Sequence, residues 1–306
     1  MLGGGDDAAV VRARAVCVTS VDAMVEGVHF RLGEGWATPE EVGHRALAGA
    51  LSDLAAMGVE PGEAYIVLGL PRGFEEADAL ALVRAADELA LRTGAAIAGG
   101  DVVGAPVLTV AVTAVGWCEE PSAPVRRDGA EVDDLVGVTG SLGAGAAALA
   151  VFEGRAGATP AAAPALARAR APLPRLREGR ALARAGVHAM IDVSDGLAAD
   201  AAHLARASGV RLELSLQALP LHDGVREVAA ELGRDPARLA AGGGEDYELC
   251  FCVAPARRAA VERALRDAGC QAPSWIGEVR AGAPQARFSD ERGDAVRLEG
   301  YEHRWR

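Results

Sequence analysis

MIDVSDGLAAD, residues 190–200, runs from apolar residues into small ones through three aspartates. VHAMIDVS reads as a strand, and GLAADAAHLARAS, from Gly196, as a helix. A strand that runs directly into a helix is the working unit of an α/β fold. Asp192 and Asp195 then sit where the strand ends. Burying an unpaired carboxylate is costly, so acids in this place need a cation, a backbone partner or solvent. Asp195 also suits the ordinary role of capping the helix that follows.

The same grammar extends in both directions. Downstream come the strands VRLELSL, YELCFCV and SWIGEVR and the helix PARRAAVERALRDAG, with a helical stretch between the first two strands. Upstream, LVGVTG reads as a strand followed by a Gly/Ala-rich helix, and 154–179 as a helix between two loops. The first half carries RAVCVTSVD, EAYIVLGL, AAIAGGD and PVLTVAVTAVGW as strands. Two helices lie among them. One starts at a capping box, with Thr38, Pro39 and Glu41, and stops at Gly58; the other, FEEADALALVRAADELALRTG, closes at Gly94. CEEPSAPVRRDGAEVDD interrupts the periodicity with proline, glycine and charge. The expected division is an N-terminal α/β domain over 1–118 and a C-terminal one over 119–306, the fold class being α/β (α+β) with mixed sheets packed against helices.

Composition excludes several functions. The 306 residues carry a formal net charge of −12, which argues against a nucleic-acid surface and favours cationic ligands. The chain has no lysine, so all 31 basic residues are arginine. That removes the Walker phosphate loop and Schiff-base chemistry on lysine. No apolar run reaches the roughly 18 residues of a membrane span, and the start MLGGGDDAAV is unlike a signal peptide; a soluble cytoplasmic protein is expected. The five cysteines fit no zinc spacing, and alternation puts Cys250 and Cys252 on one strand face as small core residues.

Acids recur beside glycines or at apparent strand ends: Asp6 and Asp7, Asp22, Asp101, Asp192 and Asp195, and Glu245 with Asp246. Asp53 lies inside a helix of small apolar residues. Glycine lets backbone approach a ligand and turns N–H groups toward anions. A neighbouring carboxylate supplies a hard oxygen for a metal. Two bare carboxylates 4 Å apart repel by roughly 4 kcal/mol at an effective dielectric near 20, and a shared divalent cation reverses that sign. Mg²⁺ with a polyphosphate is the combination these residue types suit. A lone Asp beside Gly is more often a turn; the weight rests on recurrence.

Taken in order, GGGDDAAV (3–10), TSVDAMVEGVHF (19–30), ALSDLAAMGVEP (50–61), GGDVV (99–103), RRDGAEVDDLVGVTGSLG (126–143), IDVSDGLAADAAHLA (191–205), GGGEDYELCF (242–251) and GYEH (300–303) resemble the thiamine-monophosphate kinase family, which shares a superfamily with aminoimidazole ribonucleotide synthetase and selenophosphate synthetase. The resemblance implies two α/β domains of the aminoimidazole ribonucleotide synthetase type and a homodimer built through the N-terminal domains. It implies direct in-line transfer of the γ-phosphoryl group of ATP to thiamine monophosphate, with several Mg²⁺ ions. The implied metal ligands are Asp6, Ser20, Asp22, Asp53, Asp101, Asp192 and Asp195, with Val21, which stands where the family commonly has threonine, offering its carbonyl. Implied nucleotide contacts are Gly100, Asp101, Arg127 and Ser194, and implied substrate contacts His29, Glu245 and the tail residue Trp305. Asp195 and Arg127 would carry catalysis, and Asp200 would be an ordinary helix residue. The acceptor phosphate is already anionic near pH 7, so charge neutralisation and alignment matter more than a general base. Rival readings are another ATP-using enzyme of the superfamily and a metal–nucleotide sensor without turnover.

Overall fold

The computed structural model describes residues 8–298, 300 and 301. Asp6, Asp7 and Trp305 lie outside the described residues. Contacts divide the chain into two compact units, and the chain crosses between them more than once. The first holds the described residues up to Leu54, Val59–Pro124 and Arg170–Leu176; the second holds Ala55–Gly58, Val125–Ala169 and the described residues from Arg177 onward.

In the first unit, β1 (Val16–Val25), α1 (Pro39–Ala56, its last two residues belonging to the second unit), β2 (Glu60–Leu70), α2 (Glu76–Thr93), β3 (Ala96–Gly104) and β4 (Thr109–Cys118) follow in chain order. The strands form one sheet in the order β1-β4-β2-β3. Only β2 and β3 are parallel, joined through α2 as a βαβ crossover; the other pairs are antiparallel. The capping box at the start of α1 forms as its sequence requires. The Glu41 N–H donates to Thr38 Oγ1 at 3.3 Å, and the Thr38 N–H to Glu41 Oε2 at 3.1 Å. Gly94 ends α2 at φ 82°. Leu47, Leu51, Leu54, Leu82, Leu89, Val110 and Val112 are buried and make the core of this unit.

Two strands differ from expectation. β1 continues three residues past Asp22, and β3 three residues past Asp101. The acids that look like strand ends in the sequence are therefore mid-strand. A strand with one uncovered face tolerates polar residues at alternate positions, so polarity there does not mark a terminus.

The second unit contains β5 (Leu135–Val138), α3 (Ala144–Phe152), α4 (Ala163–Arg170, its last residue belonging to the first unit), α5 (Leu176–Ala185, its first residue belonging to the first unit), β6 (Ala189–Val193), α6 (Leu197–Ser208), β7 (Arg211–Ser215), α7 (Val225–Glu231), α8 (Pro236–Gly242), β8 (Glu248–Val253), α9 (Arg258–Asp267), β9 (Ser274–Arg280), β10 (Gln285–Ser289) and β11 (Ala295–Val296). Among the described residues its seven strands run in the order β11-β10-β7-β9-β5-β8-β6. β7 and β10 are parallel, and every other neighbouring pair is antiparallel. The fold class is mixed α/β in both units. β8 is buried along its whole length, Cys250 and Cys252 included. Burial pushes the Cys250 thiol up to about 12 and raises the Cys252 thiol well above its ordinary value. α5, α7, α8, β10 and β11 have no separate sequence signal. Alanine and arginine repeat too densely around 154–184 to show a period, and β10 and β11 are short and part-exposed.

Candidate active site

In the first unit, β1 and α1 bring Ser20 and Asp53 together. The Ser20 hydroxyl donates to Asp53 Oδ2, and both side chains are half-buried. Asp22 lies two residues along β1 on the same face, because side chains alternate along a strand. One of its oxygens accepts the Ala23 N–H at 2.7 Å. The four-stranded ladder aligns Asp22 with Val112, Ile66 and Gly100, and Asp101 with Val67, Ala111 and Ala23. Asp22 and Asp101 are thus on opposite edge strands, about 14 Å apart at three strand spacings, and in alternate registers. One cation cannot bridge them within a single chain. Asp101 is exposed and accepts its neighbour's N–H, from Val102 at 2.8 Å. Gly100 is required there, since a Cβ would stand 1.9 Å from the Ile66 carbonyl oxygen. Val21 is 69% exposed on the opposite side of β1 from Ser20 and Asp22.

His29 follows β1 in a loop. Its Nδ1 accepts the Val25 N–H at 3.0 Å, so Nε2 bears the proton of the neutral ring. The Arg45 guanidinium, in α1, donates to the His29 carbonyl at 3.3 Å. The ring is therefore held with a donor nitrogen fixed by its own backbone.

In the second unit, two loops lie side by side. Residues 194–196 connect β6 to α6, and residues 243–247 lead from α8 into β8. The Glu245 N–H donates to the Ser194 carbonyl at 2.8 Å, and the Tyr247 N–H to the Val193 carbonyl at 2.9 Å. A Cβ on Gly244 would lie 2.4 Å from the Ser194 oxygen, and one on Gly196 2.9 Å from the Gly243 oxygen. Glycine at both positions is what lets the two backbones touch. Glu245 and Tyr247 have φ of 64° and 52°. Such left-handed conformations cost a non-glycine residue on the order of 1–3 kcal/mol and persist where the surroundings enforce them.

Asp200 is not the ordinary helix residue expected of it. It is buried, and one carboxylate oxygen accepts the N–H groups of both Ser194 and Asp195 at 3.0 Å. Burial, then the charges of Asp192 and Asp195, pushes its pKa up to about 8. A helix pattern reports which face a residue is on but not whether its side chain reaches back to the preceding turn. Asp192 is buried on β6, while Ser194 and Asp195 are half-buried at its end. Arg127 is exposed, and its carbonyl accepts the Ser208 hydroxyl at 2.8 Å.

Asp246 is likewise a buried carboxylate held by backbone N–H groups. It accepts the Gly143 N–H at 2.7 Å and the Gly145 N–H at 3.4 Å, both at the start of α3. Burial outweighs those bonds and pushes its pKa up to about 7. Beside it, Arg168 donates to the Asp246 carbonyl at 2.9 Å and to Glu248 at 3.2 Å, and Thr139 donates to Glu248 at 2.8 Å. The sequence points to Asp246 but not to its role, and it does not single out Glu248. Among the described residues no three His, Cys, Asp or Glu side chains come together as a metal cluster within the chain. The candidate metal ligands are instead distributed as Ser20, Asp22 and Asp53, as Asp101, and as Asp192 and Asp195.

Residues 5–118 match the family model of the AIR synthase related protein N-terminal domain, and 131–288 that of its C-terminal domain. Thiamine-monophosphate kinase of Mycobacterium tuberculosis is 41% identical over 254 residues, covering 82% of this chain and 74% of that protein. The chain belongs to the thiamine-monophosphate kinase family. Among solved structures of the family, that of the kinase from Stenotrophomonas maltophilia K279a superposes with a TM-score of 0.84 at 34% identity, covering 97% of this chain and 92% of that one. AaThiL complexed with AMPPCP and TMP has a TM-score of 0.83 at 28% identity, covering 96% and 89%. The family's two-domain architecture thus accounts for nearly the whole chain.

Proposed function

We propose that this chain phosphorylates thiamine monophosphate at the expense of ATP, giving thiamine diphosphate and ADP. The observation that carries the reading is the AaThiL complex with AMPPCP and TMP, a protein whose fold this chain matches over 96% of its length. An oxygen of the acceptor phosphate attacks the γ-phosphorus, the bond from that phosphorus to the β-phosphate's bridging oxygen breaks, and ADP leaves. The acceptor is anionic near pH 7, so no side chain need remove a proton. The chain's task is alignment and charge control.

The residues offered for this fit hard cations. Ser20, Asp22, Asp53, Asp101, Asp192 and Asp195 present oxygen donors only, and Ser20 is already bonded to Asp53. Asp6 and the Val21 carbonyl complete the proposed set, and Mg²⁺ bound there would neutralise phosphate charge. The wide spacing of Asp22 and Asp101 favours several ions over one. Gly100, Asp101, Ser194 and Arg127 are assigned to the nucleotide, with the Arg127 guanidinium suited to a phosphate fork. His29, through Nε2–H, and Glu245, through its carboxylate near a cationic thiazolium, are assigned to thiamine monophosphate, with Trp305 over it. Asp195 and Arg127 carry the transfer.

We further propose residues 1–118 and 119–306 as the two functional domains, a cytoplasmic location, and a homodimer. Among the described residues no helix is long and apolar enough to cross a membrane. Support for a second copy comes from the first unit's sheet. β1 and β3 are open edges, and Val21, Val67 and Val103 are exposed on the same register set. The decisive assay incubates purified protein with ATP, Mg²⁺ and thiamine monophosphate. Thiamine diphosphate and ADP in equal amounts are expected; nucleotide binding with no product would favour a sensor.

A further inference from the structure

We propose that Asp246 is a positioning residue that sets the substrate-binding conformation of Glu245. The inference rests on the reading of Glu245 as a thiamine-phosphate contact. Glu245 sits at φ 64° between Gly244 and Asp246, in a conformation that a glutamate rarely adopts. Three constraints surround it. Its own N–H is tied to the Ser194 carbonyl at 2.8 Å. The next side chain, Asp246, is buried and anchored on the first turn of α3 through the Gly143 and Gly145 N–H groups. The Asp246 carbonyl is gripped by Arg168 at 2.9 Å, and Arg168 is itself paired with the fully buried Glu248. The α3 surface is fitted closely to this loop, since a Cβ on Gly145 would stand 2.2 Å from the Gly244 oxygen and 3.3 Å from Glu245 Cβ. Asp246 therefore joins α3 to the loop at the residue after Glu245, and the positive φ is the outcome of that attachment. Asp246 is turned inward and does not meet substrate; it acts through its neighbour.

Steady-state kinetics with thiamine monophosphate and ATP varied separately test this on three variants of the full chain. Glu245→Gln is expected to raise the thiamine monophosphate KM about tenfold, as loss of a direct contact does. Asp246→Asn should reproduce much of that rise while the ATP KM moves less than about twofold. Asn keeps one acceptor but turns an NH₂ toward an α3 N–H, loosening the attachment without emptying the site. Gly145→Ala, whose Cβ must displace the Gly244 carbonyl, should raise the same KM and also lower the thermal midpoint, so it is assayed well below that midpoint. If Glu245→Gln has no effect, the reading of Glu245 fails and this proposal with it. If Glu245→Gln acts but Asp246→Asn and Gly145→Ala do not, the proposal alone is overturned. Equal rises in both KM values, or Asp246→Asn unable to fold while Gly145→Ala leaves KM unchanged, would assign Asp246 a purely structural role and overturn it as well.

Discussion

Asp22 and Asp101 of the first unit stand on strands with side chains half-buried or exposed, while Asp200 and Asp246 of the second unit are buried behind backbone N–H groups. Asp22 and Asp101 each accept a neighbouring N–H and keep oxygens at the surface. Asp200 and Asp246 each accept two N–H groups and are almost wholly out of solvent. Identical chemistry thus serves opposite ends. A carboxylate on an open strand can meet a cation, whereas one enclosed beside a turn fixes the turn and resists ionisation. The loops of the second unit need this fixing because regular strand ladders do not hold them.

The largest expected effect tests whether exposed and half-buried acids act on ligand rather than on fold. Asp195→Asn should lower kcat by on the order of 10³-fold, as loss of a key electrostatic group does, with an unchanged circular dichroism spectrum. Near-normal turnover would remove Asp195 from the reaction. Asp200→Ala is expected to do the reverse, costing on the order of 1–3 kcal/mol of stability by orphaning the Ser194 and Asp195 N–H groups. Urea unfolding measures it, and a loss no greater than that of Asp101→Ala, expected within about 0.5 kcal/mol of zero, would erase the contrast between the units.

A subtler effect concerns pH. Asp246 titrates near 7 in the folded chain against an ordinary value of 3.8. Between about pH 4 and 7 the folded state holds a proton that the unfolded chain has released, so its contribution to stability falls as pH rises through that window. The stability difference between the wild type and Asp246→Asn should therefore shrink with rising pH, as unfolding curves at pH 5 and 8 would reveal; a constant difference would mean that Asp246 titrates normally. The smallest effect is one of rate. An alkylating reagent should modify exposed Cys17 in the native protein and reach Cys250 and Cys252 only on unfolding, because burial keeps both thiols protonated. Mass-spectrometric mapping that found Cys250 labelled first would contradict the closed packing of β8.

By itself the sequence determined the α/β alternation, the capping box at Thr38 and Glu41, the Gly94 stop and the family to which the chain belongs. Those depend on neighbours a few residues apart or on motifs recurring in fixed order. It also singled out Ser20, Asp22, Asp53, Asp101, Asp192, Asp195 and Glu245 as residues with work to do. Tertiary structure alone decided that Asp22 and Asp101 stand on opposite edges of one sheet, because strand order β1-β4-β2-β3 is not written in any local pattern. It alone decided that Asp200 and Asp246 are anchors, since Asp246 meets glycines about a hundred positions away in the chain. Burial and long-range hydrogen bonds come from what the folded backbone brings near, and a carboxylate's role follows from those partners rather than from its neighbours in sequence.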